Sequence, residues 1–584
     1  MAEFDTDVFI VGTGPTGSTA ALALATYGVR VQIITRYRWL SNTPRAHITN
    51  QRTMEALRDL GIDGEVARYG SRWDLMGDTL FTTSLAGPEV ARIRTWGTGD
   101  DRHGDYVKGS PSGMLDVPQP YLESVILKNA AERGANVIFN TEYLSHVQDA
   151  DGVTVTVRDR LTEREYSVRA RYLIGADGAK SLVAEQLGLP IEGKMARATT
   201  AYVQFTADLT RFVEHRPSIL YWITTPIAGY GEIGMGLLRA VRPWTKWIAG
   251  WGYDPDLGEP DFSPDSLRAR ISALIGEPGI EIELGATSTW QVNQAYATRL
   301  SDGRVFCAGD AVHRHPPSGG LGSNTSVQDA YNLAWKLALV IRGDASAALL
   351  ESFTDERAPV AKQVVDRANL SRVEFGPFNA AIAIAIATGD AGDRVAAIEA
   401  KLSDTGPNGV ETRAAMAAAL ELKNYEFNAH GVEMNQRYRS GAVIDDPELG
   451  EETWARDPEL YLQAAVRPGA KLPHAWLVDA SGRRTSTLDL VGHGRFTLVT
   501  GLAGQAWAEA VRAIDRPLLD VAVIGGPEAR DLYGYWARVR DIDEDGALLV
   551  RPDGYIAWRR SSGLQPGERA DQIVRSVLAA ILGQ

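Results

Sequence analysis

Asp7-Val8-Phe9-Ile10-Val11-Gly12-Thr13-Gly14-Pro15-Thr16-Gly17 is the stretch on which the fold turns. Residues 7–11 are β-branched and aromatic, as a buried strand requires, and the alanine-rich run from Ser18 to Tyr27 reads as a helix. Val29-Arg30-Val31-Gln32-Ile33-Ile34 then supplies a second strand and completes a β-α-β unit. In that setting Gly12, Gly14 and Gly17 match a dinucleotide fingerprint: the glycines allow a tight turn, close approach of a pyrophosphate and close helix–strand packing. The helix N-terminus, carrying Pro15 and Thr16, offers free N–H groups and partial positive charge. The alternative is a glycine turn used only for packing. The second strand should end on a carboxylate for the adenosine ribose, yet it ends in Thr35-Arg36, with Arg38 close by. Those side chains contact ribose or adenine, or backbone groups hold the ribose, or an arginine meets a 2′-phosphate.

Working outward, Arg171–Ala176 running into Asp177-Gly178, and Arg304–Ala308 running into Gly309-Asp310, read as later strands of the same sheet whose carboxyl ends border a ligand crevice. The nucleotide domain is therefore expected to be discontinuous, over residues 1–190 and 296–365. Residues 191–295 alternate strand-like runs with turns and predict an inserted sheet forming a substrate wall. Helical spacing continues through a segment at 366–440, and residues 441–584 read as a separate α/β domain ending in a helix from Ala570.

Composition narrows the function classes. The 584 residues imply several domains, and 44% hydrophobic with 23% charged content and a mean hydropathy of −0.17 is that of an ordinary soluble protein. Net charge −14 lacks the basic footprint of a nucleic-acid or anionic-membrane binder, so neither partner is expected. One cysteine, Cys307, rules out an internal disulfide and a thiolate cluster, so redox chemistry must come from a bound cofactor. The acidic N-terminus has no signal-peptide pattern, and the longest apolar run, Ala380–Ala387, is too short to span a bilayer, which predicts a cytoplasmic protein.

Gly309-Asp310-Ala311-Val312-His313-Arg314-His315-Pro316-Pro317-Ser318-Gly319-Gly320-Leu321-Gly322-Ser323-Asn324, with the helix that follows, Asp177-Gly178 and the N-terminal glycines, resembles the class A flavoprotein aromatic hydroxylases. Pro44-Arg45-Ala46-His47 and Asn50-Gln51-Arg52-Thr53-Met54-Glu55 bring it closer to the branch of phenol hydroxylases that act on phenols, chlorophenols and 2-hydroxybiphenyl in aromatic compound degradation. The resemblance implies an α/β fold with a Rossmann-like FAD-binding domain of the GR2 type, an inserted β-sheet substrate domain and a thioredoxin-like C-terminal domain. The last has no Cys-x-x-Cys, which leaves packing or dimerisation as its role. Implied cofactor residues are Gly12, Gly14, Pro15, Thr16, Gly17, Thr35, Arg36, Arg45, Gln119, Leu144 near the adenine, Asp177, Asp310, Pro317, Gly320, Leu321, Gly322, Ser323 and Asn324.

The activity implied is ortho hydroxylation of a phenolic ring with NADH or NADPH and O2, through a flavin hydroperoxide, by a single-component homo-oligomer, dimer or tetramer. A single dinucleotide fingerprint fits a co-substrate that binds transiently. The alternatives are a tailoring hydroxylase of a larger polycyclic phenol and a non-catalytic flavin-binding protein. His47 is the candidate base, since a phenol of pKa about 10 needs deprotonation before it attacks; otherwise it hydrogen-bonds the backbone of a cofactor loop. Trp96, Tyr202, Trp222 and Trp290 are candidates for an aromatic pocket, each alternatively plain core. Arg239 and Arg242 could draw the NAD(P)H phosphates but read more simply as surface arginines. His313, His315 and Asp310 are too close together for an iron triad, so no metal is expected. Cys307 is expected beside the cofactor site as a small buried residue.

Overall fold

A computed structural model describes residues 3–224, 233–387 and 394–584. Thr6–Val11 lies buried along its whole length in the centre of an eight-stranded sheet, ordered Ser301–Asp302, Val305–Cys307, Glu165–Gly175, Thr6–Val11, Val31–Ile34, Asn136–Ile138, with Val153–Asp159 and Thr141–Gln148 added beside Glu165–Gly175. The central pairs are parallel, with Val8 opposite Val31 on one side and Tyr172 on the other. Strands buried on both faces need apolar residues at every position, which is why this one shows no polar alternation. The helix Pro15–Thr26 follows, and its buried alanines let it pack closely on the long helix Leu321–Arg342.

A second eight-stranded sheet runs His313–Arg314, Glu283–Ala297, Ile191–Thr206, Lys246–Gly252, Gly236–Arg242, Leu220–Ile223, Asp78–Thr82, Glu89–Arg94. Its last two strands correct the expected boundaries, because Asp78–Thr82 and Glu89–Arg94 come from the segment assigned to the nucleotide domain. Thr79 pairs with Leu220 across a gap in sequence that no local pattern reports. The boundary drawn between 365 and 366 also fails, since it falls inside the single helix Ser352–Val373. The helices Gly376–Ala387, Arg394–Ser403 and Pro407–Leu422 then pack on the outer strands of this sheet, where the Phe378 ring meets that of Phe81 at a tilt with centroids 4.3 Å apart.

The C-terminal part carries a four-stranded sheet, Leu519–Val523, Phe496–Thr500, Ala547–Val550, Ile556–Arg560, covered by the helices Gln505–Ile514 and Ala570–Leu582. Its junction with the first sheet is charged. Arg551 and Lys336 both donate to the Glu356 carboxylate, at 2.6 and 2.8 Å, and Arg52 donates to the Asp553 carbonyl at 2.6 Å. Charges this deeply buried are tolerated only when each finds its counter-charge, as these do. Among the described residues no helix is long and apolar enough to cross a membrane.

Candidate active site

Between the carboxyl ends of the first sheet and the face of the second lies a cavity of about 460 Å³, within the roughly 300–1,000 Å³ usual for small-molecule sites. Its first end is backbone. Gly12 and Gly17 do not line it: a Cβ on Gly12 would stand 2.2 Å from the Ala176 carbonyl oxygen, and one on Gly17 only 1.9 Å from the Gly12 carbonyl oxygen. They are glycines because strand, turn and helix touch there. Gly14 differs, with nothing within 4 Å of where its Cβ would be, and it faces the cavity together with Pro15 and Thr16. Gly14 and Gly320 start the helices Pro15–Thr26 and Leu321–Arg342, and neither helix has a side-chain cap on its N-terminus. The first-turn N–H groups are thus left for an anion. Gly320, Gly322, Ser323 and Pro317 line the same cavity, as do Arg45, Gln119 and Asp310.

Other expected cofactor residues stand behind this wall. Asn324 is spent on structure, its Oδ1 accepting from the Asn50 N–H at 2.9 Å and its Nδ2 donating to the Ile48 carbonyl at 2.8 Å. The Asp177 carboxylate accepts from the Ser181 hydroxyl and the Leu182 N–H, holding the start of the next helix. Leu321 packs against Val360 and Val364. Leu144 sits at a register shift between Thr141–Gln148 and Val153–Asp159, its carbonyl taken by Gln186 at 2.9 Å. Thr35 is buried, and exposed Arg36 donates to the Tyr37 hydroxyl at 3.1 Å.

The far end of the cavity is aromatic and apolar. Trp96, Tyr202, Trp222 and Trp290 line it with Leu220, Met235, Leu237 and Phe427. Trp96 and Phe427 meet edge to face at 5.5 Å, and Trp222 meets Phe375 likewise at 4.9 Å. Phe375 and Phe427 come from the helical segment, which the sequence reading did not connect with the pocket.

A buried polar group reaches the same cavity through His47 and Arg239. His47 is buried, with Nδ1 3.3 Å from Asp116 Oδ1 and Nε2 2.7 Å from the Pro44 carbonyl oxygen, and Arg239 forms an ion pair with the other oxygen of Asp116. The strand pair Ile48–Thr49 with Leu115–Asp116, in which Ile48 faces Asp116, brings the first two together. Both neighbours of the ring accept, and the shorter contact, to the Pro44 carbonyl, assigns a ring proton to Nε2. Burial lowers the His47 pKa and the Arg239 charge lowers it further, outweighing Asp116, so the ring is neutral near pH 7. Burial alone would raise the Asp116 carboxyl, but the Arg239 charge holds it below its usual range. The neutral ring thus turns the Nδ1 lone pair toward a carboxylate, an arrangement that one added proton converts into a charge-assisted hydrogen bond.

Sequence reasoning had not singled out Asp116, and Arg239 is no surface arginine: its guanidinium is enclosed beside the cavity. Arg242 lies elsewhere, donating to the Tyr69 carbonyl at 2.8 Å and stacking on Tyr121. His313 binds Asp329, which binds Arg357, and His315 faces the Pro316 carbonyl. Among the described residues no cluster of three metal-ligating side chains exists. Cys307 is buried, and desolvation raises its thiol pKa well above normal.

Residues 5–368 match the family described as an FAD binding domain, and residues 465–584 match the aromatic-ring hydroxylase C-terminal family. The chain is 52% identical over 561 residues to 2,4-dichlorophenol 6-monooxygenase of Delftia acidovorans, covering 95% of each, and 47% identical over 576 residues to phenol 2-monooxygenase of Pseudomonas sp. (strain EST1001), covering 97% of this chain and 91% of the other. The solved structure of the flavin-dependent monooxygenase PieE in complex with FAD and substrate superposes with a TM-score of 0.93 at 42% identity over the full length of both chains. With these matches over nearly its whole length, the chain belongs to the FAD-dependent aromatic-ring hydroxylases.

Proposed function

We propose that the protein hydroxylates a small phenol, ortho to its hydroxyl, using NADH or NADPH and O2. The observation that carries this is that His47 and Arg239, joined through Asp116 behind them, reach a cavity wall that also carries Trp96, Trp222, Met235 and Phe427. A phenol matches that pattern: its ring and apolar substituents, alkyl or halogen, suit the wall of Trp96, Trp222, Met235 and Phe427, and its hydroxyl suits His47 and Arg239.

When bound, FAD supplies hydride acceptance and the activation of dioxygen. The residues expected to hold it are those of the backbone end of the cavity, Gly14–Thr16, Arg45, Gln119, Asp310, Pro317, Gly320, Gly322 and Ser323, with Thr35, Arg36, Leu144, Asp177, Leu321 and Asn324 supporting them. The chain's own contribution to chemistry is proton handling and exclusion of water. His47 accepts the phenolic proton into the pair it forms with Asp116, the carboxylate stabilises the resulting imidazolium at Nδ1, and Arg239 stabilises the phenolate that is left. Desolvation keeps His47 neutral before substrate arrives, which is the state a base requires. The setting proposed is a cytoplasmic homo-oligomer, supported by family likeness.

The test is a panel of alkyl- and chlorophenols with purified, FAD-loaded protein. The expected result is phenol-stimulated NADH oxidation with oxygen uptake and a catechol product. Absence of stimulation by every member, with larger polycyclic phenols active instead, would reassign the substrate; absence with both would leave a flavin-binding protein without this activity.

A further inference from the structure

Four positions after Asp310, Arg314 sits in the short strand His313–Arg314, opposite Ala295 of the second sheet. Its guanidinium is half-buried, lines the cavity that Gly14 and Gly178 also line, and feels the charges of Asp310 and Asp177. Two contacts orient it: Nε donates to the Asp310 carbonyl at 3.2 Å, and Nη2 reaches toward the Ala311 carbonyl at 3.4 Å. Both acceptors are neutral, and a guanidinium carries more N–H donors than they occupy. Among the described residues no carboxylate forms an ion pair with it. The nearest acidic groups are otherwise placed: Asp177 is committed to Ser181 and Leu182, and the charge of Asp310 is reached only through space.

Arg45 is a second cation on the same wall, and the charges of Arg314 and Arg45 both act on the Asp310 carboxyl, so the two are gathered around one part of the cavity. The uncapped N-terminus of the helix Pro15–Thr26 opens there too. Two under-compensated guanidiniums and a ring of free N–H groups are a site for a dianion. Arginine's planar fork suits phosphate oxygens better than any carboxylate-free alternative on this wall.

We propose that Arg314 binds the diphosphate of FAD, sharing it with Arg45 and with the first-turn N–H groups after Gly14. This rests on the flavin reading above and adds a residue outside the glycine fingerprint that ties cofactor affinity to the second sheet.

The experiment is FAD titration of apo-protein, followed by flavin fluorescence, for the parent and for Arg314→Ala, Arg314→Gln and Arg314→Lys. Losing charge-assisted hydrogen bonds to phosphate should weaken FAD binding by roughly tenfold to a hundredfold in Arg314→Ala and Arg314→Gln, with a shallower salt dependence than the parent. Arg314→Lys should recover part of the loss, because it keeps the charge without the fork. Melting of the apo-proteins should coincide, which separates lost affinity from lost folding. Variants that hold FAD as tightly as the parent overturn the proposal, and a raised KM for NADH alongside would move the guanidinium to the co-substrate's diphosphate. A parent that binds no FAD would instead refute the flavin reading itself.

Discussion

Replacing Asp116 by Asn changes one fully buried atom pair and tests the proton-handling scheme directly. In the native site the carboxylate faces Nδ1 of His47 at 3.3 Å on one side and Arg239 on the other. The amide keeps an oxygen for Arg239, which leaves its NH2 group to face His47 and donate into the Nδ1 lone pair. The ring would then stay neutral with its accepting site filled. General base catalysis is worth about 10²–10⁴ in rate, or roughly 3–5 kcal/mol of barrier, and hydroxylation should fall within that range. A stability loss accompanies it, because Arg239 loses its counter-charge; breaking a buried pair costs about 3–5 kcal/mol, less here since the guanidinium opens to the cavity. Flavin absorbance and a melting curve establish that the variant is loaded and folded, after which catechol formed per NADH is measured across pH. Asp116 raises the His47 pKa against burial and Arg239. Without it the pKa falls, so the acid limb of any residual activity should move to lower pH. Undiminished product per NADH, with the acid limb in its original place, would refute the scheme.

The glycines of the fingerprint should separate by role. Gly17→Ala forces a methyl group against the Gly12 carbonyl oxygen and should give insoluble or strongly destabilised protein, whereas Gly14→Ala, with open space at its Cβ, should melt like the parent and bind FAD more weakly; equal behaviour of the two would be evidence against the division. Glu433, buried with its carboxyl pushed up to about 8 by desolvation, favours the protonated form in the fold. Its contribution to stability is therefore complete below about pH 4.5 and is lost as pH rises toward 8, at about 1.4 kcal/mol per pH unit within that window. Glu433→Gln should flatten the decline in urea midpoint between pH 5 and 8, and a slope matching the parent's would count against that assignment.

The sequence by itself determined the first sheet's β-α-β start and its discontinuous continuation, because those features rest on local physics, while the class of chemistry came from the family resemblance carried by Gly309–Asn324. A glycine that must touch a carbonyl oxygen, a helix N-terminus left uncapped and a strand buried on both faces each leave a mark within a few residues. The aromatic candidates Trp96, Tyr202, Trp222 and Trp290 were also legible, although a tryptophan in a pocket and one in the core look alike in sequence. What tertiary structure alone decided is the polar centre. Asp116 meets His47 through a two-residue strand pair, Arg239 arrives from the second sheet, and Phe427 from the helices closes the wall beside Trp96. The same separation hid the strands Asp78–Thr82 and Glu89–Arg94, which belong to the second sheet only because Thr79 pairs with Leu220. Nothing local distinguishes these residues from surface neighbours. Their function comes from mutual burial and charge, which exist only once distant segments have been brought together.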